Sequence, residues 1–445
     1  QCAHVILIEK RPNIGGATQL NAGTLVATGS RYQREVMKET KDSPELLAKD
    51  IFRAGENKND PVLVKMVGEK AGGVVDWLIY DLKIPYGPAA TQYPDHSANR
   101  QLGVTGRSVN WLKLMSQKLN ENGGKIMTDT RAQEFIRDKA GNIVGVKATM
   151  TNGQKIDFSA KSVVLASGGY GANRAMLPKK VASYLFYGLD SETGDGLAMG
   201  KKIGAGTINL DLVKQYPQGV ETLPHHALAA TASSTDTMKK SGAIYVNRDG
   251  KRIVDELAGL GTLTKITEAQ KDSIMYIVMD KAAWKQYVAK SLEDKLVAAP
   301  SDLDKWAKIV NNGYPVMATS AKLADAAKTM GINAKGLQAT IDRWNGFVKA
   351  GADKDFGRKV LMPFGEGPYY IVEQKPRFQT TLGGLKANAD MQILNKKGQP
   401  IGNLFGAGCV VGGANGSDSL TAMMNSWAII SGVVAGDSAV KNLKK

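Results

Sequence analysis

The sequence predicts an α/β protein built from two domains. Short apolar runs that end in an acid or in glycines alternate with amphipathic helical segments, a pattern typical of parallel sheets covered by helices. The first run is 5–8, closed by Glu9, and another is 163–165, followed by Gly168 and Gly169. A more helical, lysine-rich stretch over 216–365 interrupts this pattern, and we expect it to form an inserted domain.

The composition excludes several classes of protein. The chain has 445 residues, of which 43% are apolar and 22% charged, so it is long and apolar enough for two or three packed domains and is neither disordered nor collagen-like. No apolar run approaches the ~20 residues of a membrane span, and none is predicted. The net charge of +16 suits an acidic partner, but the lysines lack interleaved aromatic residues, so nucleic-acid binding is not predicted.

The segment 5–9 predicts a buried parallel strand with an acid at its end. In dinucleotide-binding folds such an acid binds the adenosine ribose about 20 residues after a G-x-G-x-x-G turn. No such turn precedes Glu9. We therefore expect that a first strand and phosphate loop, about 25 to 30 residues in all, are missing from the start of this sequence.

Helix and strand signals follow in order. Asp60 predicts an N-cap with proline at the first helical position, and Ser108 predicts the start of a second helix. Alternating runs at 126–136, 143–150 and 155–158 are separated by turn residues, which indicates an antiparallel meander.

The C-terminal part predicts a return to the first domain. Asn333 is expected to cap a helix within the inserted domain, and alternation resumes from Tyr369. We divide the chain into a first part of the nucleotide-binding domain (1–215), the inserted domain (216–365) and a second part of the nucleotide-binding domain (366–445).

Glycine clusters at strand ends favour a large nucleotide cofactor, because they let the backbone approach a ligand closely. The clusters are Gly15-Gly16, Gly168-Gly169, Thr193-Gly194-Asp195-Gly196, Gly383-Gly384 and Gly406-Ala407-Gly408.

These motifs occur in one order that resembles the flavoprotein fumarate reductase family, which includes the flavin part of periplasmic flavocytochromes c and the urocanate reductases. The likeness spans nearly the whole chain. It rests on Val5-Ile6-Leu7-Ile8-Glu9-Lys10, Gly15-Gly16, Leu165-Ala166-Ser167-Gly168-Gly169, Thr193-Gly194-Asp195-Gly196, Leu382-Gly383-Gly384 and Leu404-Phe405-Gly406-Ala407-Gly408.

The resemblance implies a Rossmann-like domain that binds FAD and is built from both chain ends, with an α+β capping domain inserted and the substrate between them. Glu9 would take the ribose and Ala132 would meet the adenine through its backbone. The positions that match the family's cofactor shell are Glu9, Lys10, Gly15, Gly16, Asn21, Ala22, Gly23, Ala132, Ala166, Ser167, Gly168, Asn173, Asp195, Gly384, Gly408, Cys409 and Leu420.

The resemblance also implies hydride transfer from flavin N5 to an activated alkene, with an arginine that donates a proton. Leu260 stands at that arginine's position, and a leucine cannot donate a proton. Either Lys265, Lys239 or Tyr216 supplies it, or the reaction differs. The alternative for the two lysines is a solvated surface, and for Tyr216 a place in the core.

The family's substrate contacts are altered as well. Its histidine before Thr-x-Gly-Gly corresponds to Thr380, beside Thr381, and its C-terminal arginine corresponds to Ser419. Its Thr-Glu-x-x-Arg clamp is kept in weaker form as Thr235, Asp236 and Lys239. Loss of cations at Thr380 and Ser419 predicts a substrate other than fumarate.

The sequence therefore predicts an FAD-dependent oxidoreductase that reduces an enoate-like small molecule. No C-x-x-C-H haem motif occurs, so electrons are expected from a redox partner such as a c-type cytochrome or haem domain, in the periplasm or another extracytoplasmic compartment as the family implies. No metal site is predicted. The alternatives are a dehydrogenase of a ketosteroid-like neutral substrate, with a tyrosine pair handling protons, and a flavin electron carrier without catalysis.

Overall fold

The computed structural model describes residues 3–89 and 92–444, which form two compact units. The first unit comprises the chain up to Pro178, the segment Gly188–Lys214 and the chain from Thr380 onward, and the second comprises Lys179–Tyr187 and Gln215–Gln379. In the described residues, no helix combines the length and the apolar character that a bilayer crossing requires.

The first unit holds several small sheets rather than one continuous sheet. Ile6–Ile8 pairs in parallel with Lys125–Met127. Pro400–Gly406 pairs antiparallel with Gln392–Leu394, and its last three residues pair in parallel with Val163–Leu165. The other strands are Leu25–Val26, Tyr86–Pro88, Gln101–Val104, Thr130–Arg137, Ile143–Met150, Lys155–Ser159, Thr207–Ile208 and Gly384–Leu385. Its α-helices are Arg31–Glu35, Pro44–Ala54, Pro61–Asp76, Arg107–Glu121, Asp195–Lys202 and Met423–Asn442.

The predicted N-terminal strand forms, but it is not buried. Ile6 is 51% exposed and Leu7 39%. Within the described chain this strand pairs with one other strand, Lys125–Met127. The strand Val163–Leu165, whose Val164 is 40% exposed, likewise pairs with one strand, Pro400–Gly406. Ile6 and Leu7 point to opposite faces of the strand, so their exposure shows that neither face of this strand is fully covered. The expected first strand and phosphate loop stay a prediction.

The second unit is built on a seven-stranded mixed sheet. Its order is Leu185–Phe186, His226–Ala229, Val213–Leu223, Tyr369–Thr381, Met275–Met279 and Ile244–Val246, with Met317–Ser320 also paired to Tyr369–Thr381. A separate pair joins Val310–Asn311 to Tyr314–Pro315. The α-helices are Lys179–Ala182, Thr231–Lys240, Leu260–Glu268, Lys281–Glu293, Pro300–Asp304, Leu323–Thr329 and Ala334–Ala350.

This sheet is covered on both faces. Alternate residues of one strand belong to different apolar clusters, with Met275 and Ile277 in one and Tyr276 and Val278 in the other. All four side chains are essentially inaccessible to water, as the period-two geometry of a strand requires when both faces are buried.

Tyr369–Thr381 places the second domain boundary later in the chain than the predicted 365. This strand pairs with both Met275–Met279 and Met317–Ser320, so it belongs to the central sheet of the second unit up to Gln379. The alternation that resumes at Tyr369 reflects that sheet.

Two predicted helices form with the expected caps. Asp60 accepts the backbone N–H of Val62 at 2.9 Å before Pro61–Asp76, and Asn333 accepts that of Gly336 at 3.0 Å before Ala334–Ala350. The helix expected to start at Ser108 begins one residue earlier, at Arg107. The Ser108 hydroxyl does not cap this helix; it donates a hydrogen bond to Asn21 Oδ1. The meander forms with Thr130–Arg137 as its first strand.

Candidate functional site

The predicted cofactor residues of the N-terminal segment lie at a strand end. Glu9 follows Ile6–Ile8, and its Oε1 accepts the backbone N–H of Arg11 at 2.8 Å. The Nζ of Lys10 donates to Thr193 Oγ1 at 2.6 Å and to Asp195 Oδ2 at 3.1 Å. These bonds hold the first turn against the Thr-Gly-Asp-Gly segment, which the sequence assigns to the same cofactor.

Asp195 connects three of the segments predicted to contact the cofactor. Arg131 donates to its two carboxylate oxygens at 3.0 and 2.9 Å, and the Thr193 hydroxyl donates at 2.8 Å. Burial alone raises the pKa of Asp195, but hydrogen bonds from Arg131, Thr193 and Lys10 outweigh it and lower the pKa. The carboxylate therefore stays ionised and ties the strand that carries Ala132 to the N-terminal turn.

Asn21 fixes the predicted turn at Asn21, Ala22 and Gly23. Its Oδ1 accepts the Gly23 N–H at 2.7 Å and the Ser108 hydroxyl at 2.5 Å. Its Nδ2 donates to Asn425 Oδ1 at 3.3 Å, which binds the turn to the C-terminal helix Met423–Asn442.

Gly168 and Gly408 adopt backbone conformations that favour glycine. Their φ angles are +77° and +67°, and a Cβ at Gly168 would meet no atom within 4 Å, while one at Gly408 would meet only Ala428, at 3.8 Å. Open space lies over both turns, where a ligand can approach the backbone. The Gly408 amide donates to Ser431 Oγ at 2.9 Å, which fixes this turn on the C-terminal helix.

Two buried oxygens beside Gly169 have no hydrogen-bond partner among residues 3–89 and 92–444. They are Oε2 of Glu192 and Oγ1 of Thr381, in residues that are 5% and 1% exposed. A Cβ built on Gly169 would lie 2.4 Å from Thr381 Oγ1 and 3.8 Å from Glu192 Oε2. Buried polar atoms are nearly always partnered, so these two mark a position where a polar ligand group would complete the bonding.

Burial also governs the ionisation of this cluster. It raises the pKa of Glu192 to about 7, against the opposing charge of Lys10. Burial, with the charge of Glu192, raises the pKa of the Cys409 thiol to about 11, while a hydrogen bond from Thr380, 3.6 Å away, acts in the other direction. Cys409 is thus a protonated, packed thiol at neutral pH; Cys2 lies outside the described residues.

These features fit FAD. The turn amides at Gly15 and Gly168 suit an anionic pyrophosphate, Glu9 suits a ribose diol, and the orphaned oxygens of Glu192 and Thr381 suit polar groups of a large ligand. The remaining predicted positions lie in the same unit. Gly16 begins the short helix Gly16–Leu20, and Asn173 Nδ2 donates to the Thr193 carbonyl at 3.1 Å. Gly384 lies in a short strand, Leu420 is buried, and Ala166 and Ser167 precede Gly168.

The predicted substrate positions of the first unit, Thr380 and Ser419, carry hydroxyls whose bonds stay within the protein. Thr380 contacts the Cys409 sulfur, and Ser419 Oγ donates to Asn415 Oδ1 at 2.8 Å. A cation that the sequence did not single out lies against Ser419: the Nζ of Lys214 donates to the Ser419 carbonyl at 2.9 Å and forms an ion pair with Asp418.

The Thr-Asp-x-x-Lys clamp lies on the helix Thr231–Lys240 of the second unit. The ion pair of Asp236 goes to Lys240, at 2.8 Å, and Lys239 is exposed at the end of the helix, while Thr235 is half-buried. Asp236 thus pairs with its neighbour one helical turn away, and substrate contact by Thr235, Asp236 and Lys239 stays a prediction.

Leu260 and Lys265 share the helix Leu260–Glu268. Leu260 is its first residue and packs against the apolar cluster of the second unit, whereas Lys265 is exposed. Leu260 thus packs in an apolar cluster, and its side chain carries no group that can donate a proton.

Tyr216 lies beside a buried arginine that the sequence did not single out. The guanidinium carbon of Arg377 is 4.1 Å from the centre of the Tyr216 ring and 5.0 Å from that of Tyr187. All three residues belong to the second unit. Of the three proton donors considered, Tyr216 is the one with a buried charged neighbour.

A family model described as an FAD binding domain matches residues 1–423. Urocanate reductase from Eggerthella lenta is 31% identical over 98% of this chain and 70% of its own length. Fumarate reductase (cytochrome) from Shewanella frigidimarina is 30% identical over 100% of this chain and 74% of its own length.

Solved structures share the fold over nearly the whole chain. The open conformation of a flavocytochrome c3 fumarate reductase superposes with a TM-score of 0.81 at 26% identity, covering 99% of this chain and 74% of that one. A 3-ketosteroid Δ1-dehydrogenase from Sterolibacterium denitrificans superposes with a TM-score of 0.79 at 17% identity over 98% and 95%, a likeness of fold alone. The predicted α/β fold is confirmed.

Proposed function

This chain belongs to the family of FAD-binding flavoproteins that includes urocanate and fumarate reductases, and we propose that it reduces the activated C=C bond of an enoate-like molecule other than fumarate. The same matches confirm the predicted cofactor, FAD, and the predicted class, an FAD-dependent oxidoreductase. When bound, FAD supplies hydride transfer from its N5 atom.

One observation carries the argument against fumarate: the two substrate positions of the first unit are neutral and internally bonded. Thr380 is engaged with Cys409 and Ser419 with Asn415. A dicarboxylate that loses two charge-assisted hydrogen bonds loses about 3 to 6 kcal/mol of binding free energy, at about 1.5 to 3 each. A substrate with one carboxylate avoids most of that loss.

Lys214 supports the same substrate class. Its ammonium is largely buried and lies against Ser419, but Asp418 neutralises its charge. The pair therefore suits a polar or weakly charged end of a substrate better than a second full carboxylate.

Proton delivery falls to Tyr216 in this proposal. Leu260 has no proton to give, and Lys239 and Lys265 are exposed. Of the three candidates, Tyr216 is the one whose ring lies beside a buried cation, Arg377.

We propose that electrons come from a separate redox protein, such as a c-type cytochrome or haem domain, in an extracytoplasmic compartment. The relative named fumarate reductase (cytochrome) supports this, and the net charge of +16 suits an acidic donor.

The test is anaerobic reoxidation of the holoenzyme after reduction by reduced methyl viologen. Acrylate and other monocarboxylate enoates are expected to restore the oxidised flavin absorbance faster than fumarate does. A rate with fumarate that exceeds those of all monocarboxylate enoates would contradict the proposal.

A second candidate is a dehydrogenase of a neutral, ketosteroid-like ketone. It is favoured by the two tyrosines, Tyr187 and Tyr216, that lie at one guanidinium. Reduction of an artificial dye by saturated ketones would select it. A flavin that is reduced and reoxidised by electron carriers alone, with neither enoates nor ketones, would indicate an electron carrier.

A further inference from the structure

Arg377 is a buried guanidinium that has no counter-ion among the described residues. It lies in the strand Tyr369–Thr381 and is 3% exposed. The other two arginines that are buried to this degree, Arg100 and Arg358, pair with Asp42, Asp50 and Glu256. No aspartate or glutamate in the part of the chain that the structure describes pairs with Arg377. A buried charge is ordinarily paired, so this one calls for a partner from outside the chain.

The polar contacts of Arg377 leave one nitrogen without a partner. Nε donates to the Gln218 carbonyl at 3.3 Å and Nη2 to the Thr231 hydroxyl at 3.1 Å. Nη1 is buried and makes no hydrogen bond with the residues described. Burial lowers the pKa of Arg377 to about 10, and Tyr216 and Tyr187 only partly oppose it, so the guanidinium is still charged at neutral pH.

The residue that Nη2 contacts is the start of a helix. Thr231 is the first residue of the 10-residue helix Thr231–Lys240. Ala230 is the N-cap, so no side chain caps the first backbone N–H groups, and the first turn holds no acid. The free N–H groups and the helix dipole favour negative charge at this end.

We propose that Arg377 and the N-terminal turn of Thr231–Lys240 form an anion site that binds the carboxylate of the substrate. Two independent features converge there: an uncompensated guanidinium with an unpartnered N–H, and an uncapped helix terminus bonded to the same side chain. The inference rests on the proposed function and deepens it, since it assigns the one carboxylate of a monocarboxylate substrate to the second unit.

The geometry suits one carboxylate. A guanidinium binds a planar oxyanion with parallel N–H groups, while the Thr231 hydroxyl, which accepts from Nη2, keeps its own proton to donate. The rings of Tyr187 and Tyr216 shield the guanidinium from water, which strengthens its attraction to an anion.

The binding test uses the holoenzyme and propionate, a carboxylate that cannot be reduced. Calorimetric titration compares wild type with Arg377→Met, Arg377→Lys and the control Arg343→Met, which removes an exposed arginine of the second unit paired with Asp355. We expect Arg377→Met to weaken propionate binding at least tenfold, Arg377→Lys to weaken it less, and Arg343→Met to leave it unchanged.

Thermal stability separates a binding role from a structural one. Methionine replaces an unpaired buried charge with an apolar chain of similar length, a change that is often neutral or stabilising. We expect the melting temperature of Arg377→Met to equal or exceed that of wild type. A lower melting temperature with unchanged propionate binding would overturn the proposal.

A turnover test distinguishes this site from the proposed reaction. In Arg377→Met the KM for acrylate should rise at least tenfold while that for methyl acrylate, which has no charge, stays the same. An equal rise in the KM for acid and ester would overturn the anion site and leave the proposed reduction standing. If neither compound is reduced but propionate binding still depends on Arg377, the proposed function fails and the anion site stands.

Discussion

Replacement of Glu192 by glutamine is expected to increase the free energy of unfolding at pH 8 by about 3 kcal/mol. The carboxyl group is 5% exposed, and burial raises its pKa from 4.5 to about 7. Each pKa unit corresponds to about 1.4 kcal/mol of difference between the two protonation states. Glutamine keeps the size of the side chain and removes the cost of ionising it in a dry environment.

The sign follows from proton linkage. A carboxyl whose pKa is higher in the folded state binds its proton more tightly there than in the unfolded chain. The free energy of unfolding of wild type should therefore fall as the pH rises from 4.5 to about 7, relative to that of Glu192→Gln. Below this window the two proteins should differ little.

The assay is urea unfolding at pH 4.5, 6, 7 and 8 without added FAD. The control is Glu69→Gln, which alters an exposed glutamate. Its free energy of unfolding should differ from that of wild type by the same amount at every pH. If the difference between wild type and Glu192→Gln does not grow between pH 4.5 and 8, the carboxyl group is solvated and the reasoning is refuted.

Three further predictions concern buried groups. Asp50→Asn should lower the free energy of unfolding by about 2 kcal/mol at pH 7. Hydrogen bonds from Ser97 and Arg100 outweigh burial and lower the aspartate pKa to about 2. Urea unfolding should therefore show the difference from wild type vanish as the pH falls from 3.8 through 2. Glu256→Gln should lower the free energy of unfolding by about 3 to 5 kcal/mol, because it leaves the buried Arg252 and Arg358 without their shared carboxylate. A decrease below about 1 kcal/mol in the same assay would contradict this prediction. In a Cys2→Ser background, Cys409 should resist iodoacetamide at pH 8 in the folded protein and react readily in urea, because burial raises its pKa to about 11; rapid labelling of the folded protein would refute this.

Local signals predicted the parts of the fold that depend on neighbours in sequence. Asp60 and Asn333 cap the helices assigned to them, because capping involves residues only three positions apart. The exposure of Ile6 and the extension of the second unit to Gln379 were not predictable in this way. Both depend on which strands pair, and pairing partners are distant in the chain.

In the candidate site, too, local sequence signals predicted some residues and could not predict others. Glycine turns and strand-end acids are local motifs, and the prediction of an FAD cofactor rests on them. Arg377, Glu192 and Lys214 were missed because their importance lies in burial and in partners far away in sequence. An acid directly before Thr-Gly-Asp-Gly was a signal that could have been noted, whereas Arg377 lies in the polar run Glu373-Gln374-Lys375-Pro376-Arg377, where no local feature distinguishes it.

The alternation of the chain between the two units has a consequence for biosynthesis. The stretch Gln215–Gln379 of the second unit leaves the ribosome as one continuous piece, whereas the first unit needs residues from Thr380 onward. The strand Val163–Leu165 gains its neighbour only when Leu404 to Gly406 have been made. Strand pairings of such long sequence separation form slowly. Nascent chains should therefore contain a folded second unit before the two parts of the FAD-binding unit have paired.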